Sequence, residues 1–171
     1  PPLSVNSFGD GGAAGGSINI QADAIEGSGL IQANGGPSTP AMSQSGGGGG
    51  RVAVALHSGI DFDAVTIRAA ITWGSGNIGA AGTVYLKAAD QAFGTLIVDN
   101  DGNNAFDSYG GARTDISSNV TDAVVGDLIL RNYGELRVMT NQTLTVCGDF
   151  LKQGTGAFWV EDESTVALAG S

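Results

Sequence analysis

The sequence predicts an all-β chain that stacks as a β-solenoid, a single domain with glycine-rich loops, and three observations lead there. First, the tracts Gly16-Ser17-Ile18-Asn19-Ile20, Gly50-Arg51-Val52-Ala53-Val54 and Gly82-Thr83-Val84-Tyr85-Leu86 share one pattern. Each is a glycine, a polar residue and then apolar residues two apart, the period of a strand with one face buried. Second, 17–36 lies over 83–102 without a gap, with Ile18 on Val84, Leu30 on Leu96, Ile31 on Ile97 and Asn34 on Asn100. A recurring strand-turn-strand unit implies one wall built repeatedly. Third, no stretch carries apolar residues at helical spacing, and glycine and β-branched residues interrupt nearly everywhere.

Taken in order, the strands are expected at 17–22, 29–33, 51–56, 64–69, 83–87, 94–98, 127–130, 135–138, 143–147, 149–152, 157–160 and 164–168, each a short alternating run bounded by Gly, Asn, Asp or Ser. From Leu128 the repeat tightens. Leu128, Leu136, Leu144, Phe158 and Val166 fall at multiples of about eight, with one shortened step near Phe150, so that three strands make about one solenoid turn. Alternation assigns Ile18, Ile20, Val52, Val54, Val84, Leu86, Leu96, Val98, Leu128, Leu136, Leu144 and Val146 to the inside. Asn34 to Gly50 and Asn100 to Asp122 break the rhythm and read as loops thrown out from the wall. Within the first, Gly46 to Gly50 reads as a close-packed bend rather than a linker, because strands resume on both sides. Residues 1–10 are expected to form an extended arm and 11–171 the stacked domain.

Composition limits the function. The chain has 171 residues, 42% hydrophobic and only 14% charged, with 29 glycines. The net charge is −10, and the seven Lys and Arg are scattered, which argues against a nucleic-acid binder. An acidic surface rich in Ser, Thr, Asn and Gly fits a secreted protein kept soluble by its charge. No apolar run approaches the roughly 18 residues of a membrane span. Cys147, the lone cysteine, permits no disulfide within the chain and is expected as a small core residue. The chain opens at Pro1-Pro2-Leu3 without methionine, as a processed or excised fragment would.

Few residues suggest chemistry. Asp99-Asn100-Asp101-Gly102-Asn103, followed by Asp107, places oxygen donors at alternate positions around a glycine. Asp99, Asp101, Asn103 and Asp107 are therefore a calcium candidate, although Gly110 stands where a calcium loop would supply glutamate. The same residues also make a solvated turn without metal. His57 is the only histidine and is expected at a strand end. Asp61, Asp63, Arg68, Asp99, Asp101, Arg113 and Asp115 are the candidates for a carbohydrate-active cleft, without diagnostic spacing. Gly46 to Gly50 lacks the Lys-Ser/Thr of a phosphate loop. Asn119-Val120-Thr121 and Asn141-Gln142-Thr143 are N-glycosylation sequons. Leu3, Val5 and Phe8 alternate roughly along the arm and are candidate assembly residues, able to cap the first rung or to lie along a neighbouring subunit.

Ala81 to Lys87 with Gly94 to Asn100, and Gly15 to Ile20 with Gly46 to Val54, together resemble glycine-rich parallel β-helix regions of large secreted prokaryotic surface proteins, similar to haemagglutinin-type adhesins. The resemblance covers roughly 11–168 and rests on repeat texture. It implies a right-handed parallel β-helix located outside the cell, and it carries no catalytic residues; for a chain of this length about six to eight irregular rungs are expected. The expected role is structural: a surface or matrix component that assembles head to tail into a fibre or forms part of a large adhesin. Its expected partners are copies of itself, a host or cell surface, or polysaccharide. The alternative is a carbohydrate-binding or polysaccharide-cleaving β-helix.

Overall fold

The computed structural model describes residues 12–37, 46–72, 79–104, 112–120 and 123–170. Among the described residues there are fourteen strands and no helix. In chain order the first half contains β1 (Ser17–Ala22), β2 (Ser28–Gln32), β3 (Arg51–Leu56), β4 (Ala64–Arg68) and β5 (Thr83–Lys87). Then come β6 (Thr95–Asp99), β7 (Thr114–Ile116), β8 (Ala123–Val125), β9 (Leu128–Arg131) and β10 (Glu135–Val138). The last are β11 (Thr143–Val146), β12 (Phe150–Lys152), β13 (Ala157–Val160) and β14 (Thr165–Leu168).

These strands build small sheets, parallel at every pair but one. A six-stranded sheet has the order β1-β3-β5-β6-β9-β12. Beside it stand the three-stranded sheets β7-β10-β13 and β8-β11-β14 and the pair β2-β4. The chain visits the sheets in turn. From β9 onward it cycles through three of them, and each strand pairs with the one 22 residues later, Glu135 with Ala157 and Thr143 with Thr165. A parallel neighbour needs a crossover, and here the crossover consists of the strands of the other sheets. Equal repeat length then keeps register, so Leu128 lies on Phe150, Leu136 on Phe158 and Leu144 on Val166.

Strand period decides what is buried. In β3, Val52, Val54 and Leu56 are buried while Arg51, Ala53 and Ala55 face outward. In β9 to β11, Leu128, Leu130, Leu136, Val138, Leu144 and Val146 are all inaccessible or nearly so. Every residue assigned inward by alternation joins one of two cores. Ile18, Ile20 and Leu86 are partly buried against the core of Val52, Val54 and Val84. Leu96 is partly buried against the core of Val98, Leu128, Leu136, Leu144 and Val146.

The two cores lie on opposite faces of the six-stranded sheet, and the switch occurs at its one antiparallel pair. β5 meets β6 with Val84 opposite Ile97 and Tyr85 opposite Leu96. Directly opposed residues share a face. Val84 and Ile97 thus face the first-half core, while Tyr85 and Leu96 face the second-half core. The turn that reverses the chain is held from inside. Gly94 N–H donates to the Tyr85 hydroxyl at 2.8 Å, and Ala88 N–H to Gln91 Oε1 at 2.9 Å.

Four expectations need correction. The stretch Asn100 to Asp122 is not wholly a loop, since it contains β7, and β8 follows directly. Each has three residues and one buried apolar side chain, Ile116 or Val125, too little for alternation to register. The matching stretches 17–36 and 83–102 do not build one wall. β2 leaves for the second sheet, whereas β6 folds back against β5. Cys147 is not a core residue: it follows inward Val146, falls on the other parity and is half-buried and free. The glycine run is close-packed, because a Cβ on Gly47, Gly49 or Gly50 would fall on backbone of Ala13, Ala69 or Gly16, but it makes no bend and runs directly into β3.

Candidate functional site

At the end of the second-half core, β12, β13 and β14 are each the outermost strand of their sheets. They extend the inward columns of β9, β10 and β11, yet nothing among the described residues covers them. Val160 continues the column of buried Val138 and is 51% exposed. Leu168 continues that of buried Val146 and is 64% exposed. Phe150 and Phe158 pack ring against ring at 5.2 Å on the same end. Lys152 is the charge in these columns, on Leu130, and its ammonium turns aside to the Gly154 carbonyl. A layer of core side chains and a row of strand edges therefore face outward together.

A second feature lies where the cores change face. The six-stranded sheet continues through β5 and β6, but the facing sheet ends at β4. A cleft of about 440 Å³ results, floored by Val84, Leu86 and Ile97 and walled by Val65 and Ile67 of β4. Its rim brings together three predicted residues, Arg68, Asp99 and Asp101, and two that sequence reasoning missed, Arg131 and Asn132. Arg68 Nη1 lies 2.8 Å from Asp101 Oδ2, and Arg131 Nε 2.6 Å from Asp99 Oδ2. Asn132 Nδ2 donates to Asp99 Oδ1 at 3.0 Å. Arg131 was traceable only through the strand register, which sets it beside Asp99. Both carboxylates in the cleft are thus tied to arginine.

Below this rim Asn100 is fully buried and satisfied. Its Oδ1 accepts from Ile71 N–H at 3.2 Å, and its Nδ2 donates to the Asn103 carbonyl at 2.6 Å. Asn34, its counterpart in the sequence match, accepts from the adjacent Ala70 N–H at 2.9 Å. Two equivalent asparagines thus hold successive amides of the segment that follows β4.

Three of the four calcium candidates lie in one turn. Asp101 (φ 52°) and Gly102 (φ 79°) make a left-handed turn, with Asp101 N–H donating to Asp99 Oδ1 at 2.8 Å. Asn103 Nδ2 donates to the Asn100 carbonyl. Asp107 lies outside the described residues, among which no group of three metal-binding acidic, His or Cys side chains occurs. If Asp99, Asp101 and Asn103 hold calcium, chelation lowers the Tm and Asp101→Ala abolishes that difference; identical melting curves in calcium and in chelator leave the bare turn.

The remaining candidates are apart. Asp61 and Asp63 shape the turn before β4, with Gly27 N–H donating to Asp63 Oδ2 at 2.6 Å. Arg113 and Asp115 lie on the outer face of β7-β10-β13. There Arg137 bridges Asp115 (2.8 Å) and Glu161 (3.1 Å). Arg113 lies 4.2 Å from the Trp159 ring centroid and 3.3 Å from Glu135. The Asp115 hydrogen bond above all raises the Arg137 pKa over its ordinary value. His57 follows the end of β3, exposed, with Nδ1 3.6 Å from Asp23. Asn119 and Asn141 sit exposed in turns, while Thr121 of the first sequon lies outside the described residues. Leu3, Val5 and Phe8 also lie outside them. No described helix is long and apolar enough to cross a membrane.

No family model, curated protein or solved structure matches this chain.

Proposed function

We propose that this is an extracellular structural protein, a parallel β-helix that assembles end to end into a fibre or forms one segment of a large adhesin. The observation that carries the reading is the open last rung. Val160 and Leu168 stand in core columns with no described residue over them, on three strands whose outer edges are unpaired by described residues. Another rung, from a second copy or from further chain, would bury these side chains and extend all three ladders at once. Such a contact joins unlike ends and so grows an open line rather than a closed ring.

The coil itself is supported by the order in which the sheets are visited and by the constant 22-residue register of the second half. At β5-β6 strand direction reverses and the core changes face. Two reversals cancel, so both halves wind with the same hand, and the sheet order still advances steadily from β1 to β12. The low basic content and net charge of −10 favour a soluble, exported wall over a nucleic-acid partner.

The test is sedimentation velocity over a wide concentration range, with electron microscopy of the same samples. The native chain is expected to form linear particles, and the double variant Val160→Lys, Leu168→Lys to remain monomeric while still folded, because charges on an edge oppose pairing. A native chain that stays monomeric at high concentration would remove the fibre and leave the adhesin segment.

A further inference from the structure

The cleft beside β4 has the form of a missing strand. Backbone hydrogen bonds from Ala64 N–H to Gly27 and from Ala33 N–H to the Arg68 carbonyl direct Ala64, Thr66 and Arg68 toward β2. In a parallel ladder the intervening residues point the other way. Ile67 therefore presents its N–H and C=O to the open side, while its side chain lines the cleft. Opposite, the partly buried Leu86 and Ile97, beside buried Val84, lack a covering strand among the described residues. Val65 N–H is taken by the Phe62 carbonyl and the Ala69 carbonyl by Gly82 N–H, so the vacancy offers Ile67 N–H and C=O and the Val65 C=O along one side, with apolar surface beneath, the two requirements for strand addition.

We propose that this vacancy accepts the segment Pro1–Phe8 of a second copy, a contact that rests on the reading of the chain as self-assembling. The segment carries no charged side chain, and its two leading prolines oppose helix and favour an extended backbone. Leu3 and Val5, two apart, fall on one face of such a strand. The rim suits an uncharged guest, because Arg68 and Arg131 are each already neutralised by Asp101 and Asp99. The geometry favours a second copy over the same chain. At the C-terminal end of β4 the cleft is closed by the Arg68–Asp101 pair and by buried Asn100 holding Ile71. The chain's own Ala13 sits on that closed side, bonded to Gly36, which follows β2. A guest must come in from the opposite end, past Phe62.

The experiment is disulfide trapping in full-length chains that all carry Cys147→Ala. One batch bears Val5→Cys and a second, of different tag size, bears Ile67→Cys. The two are mixed and mildly oxidised. The expected product is a mixed disulfide pair, roughly tenfold above the homodimeric disulfide that either batch gives when oxidised alone, because docking raises the local thiol concentration. Val65→Cys serves as a second acceptor position should Ile67→Cys lose its β circular dichroism. Absence of the mixed pair with both acceptors overturns the proposal. So does a cross-link that forms only within one chain when both cysteines are placed on it. Sedimentation of the same samples separates the two readings. Large particles without the cross-link sink strand donation and leave end stacking, whereas cross-linked pairs that grow no further keep donation and sink end stacking.

Discussion

Leu144→Asp is expected to abolish cooperative unfolding at room temperature. Leu144 is inaccessible to solvent, at the centre of the middle strand of β8-β11-β14, and in register with Ala123 and Val166. Losing the leucine alone would cost about 2–5 kcal/mol by analogy with other buried leucines cut to alanine. A carboxylate there has no described cation beside it, so it must desolvate or take up a proton, adding several kcal/mol more. Domains of this size have roughly 5–15 kcal/mol in all. The measurement is urea unfolding followed by circular dichroism, with Thr145→Asp as the control. Thr145 is the next residue on the opposite, outward parity, and its variant should unfold close to the native chain. Equal stabilities of the two variants would mean that the inward assignment of β11 is wrong.

The side-chain period made most of this core legible from sequence. Inward residues of β1, β3, β9, β10 and β11 could be placed because each strand has at least two apolar residues two apart. β7 and β8 have one buried apolar residue each, and a single residue has no period. Pairing was harder still. Residues 17–36 and 83–102 match at Ile31/Ile97 and at Asn34/Asn100. The structure respects both matches, since both isoleucines pack on the first-half core and both asparagines hold amides after β4. Leu30 and Leu96 also match, yet Leu30 is exposed and Leu96 packs into the other core. The difference is a tertiary one. The Asp23 carbonyl in the first turn accepts from Ser58 and Gly59 after β3, whereas the second turn closes on itself through Tyr85 and Gly94. The rim of the cleft was half visible for a related reason: Arg68, Asp99 and Asp101 stood out as charges, but their meeting with Arg131 depends on strand register alone.

The glycines that open the three matching tracts give the sharpest position-dependent expectation. The register sets Ser17, Arg51 and Thr83 side by side, so Gly16, Gly50 and Gly82 form a column across the sheet. A Cβ on Gly82 would fall on the Gly50 carbonyl oxygen and lie 2.8 Å from that of Ala69. A Cβ on Gly50 would fall on the Gly16 oxygen and lie 2.7 Å from the Gly15 carbonyl carbon. These neighbours are backbone held in ladders, so they cannot yield as a side chain would. Gly82→Ala and Gly50→Ala should each destabilise by about 3 kcal/mol or more, at or above the usual range for overpacking. Gly16 begins the column and has nothing within 4 Å, and its φ is not in the left-handed region. Gly16→Ala should therefore stabilise the isolated chain by about 0.4–1 kcal/mol, through the reduced freedom of the unfolded state. Urea unfolding of the three variants decides the matter, and losses of equal size at all three positions would contradict the stacked column. Assembly adds a second readout. If the β1 end receives the last rung of another copy, the methyl of Gly16→Ala meets that copy's backbone, and fibres should be lost from a chain whose own stability has risen. Fibres that survive Gly16→Ala unchanged would place the junction away from this column.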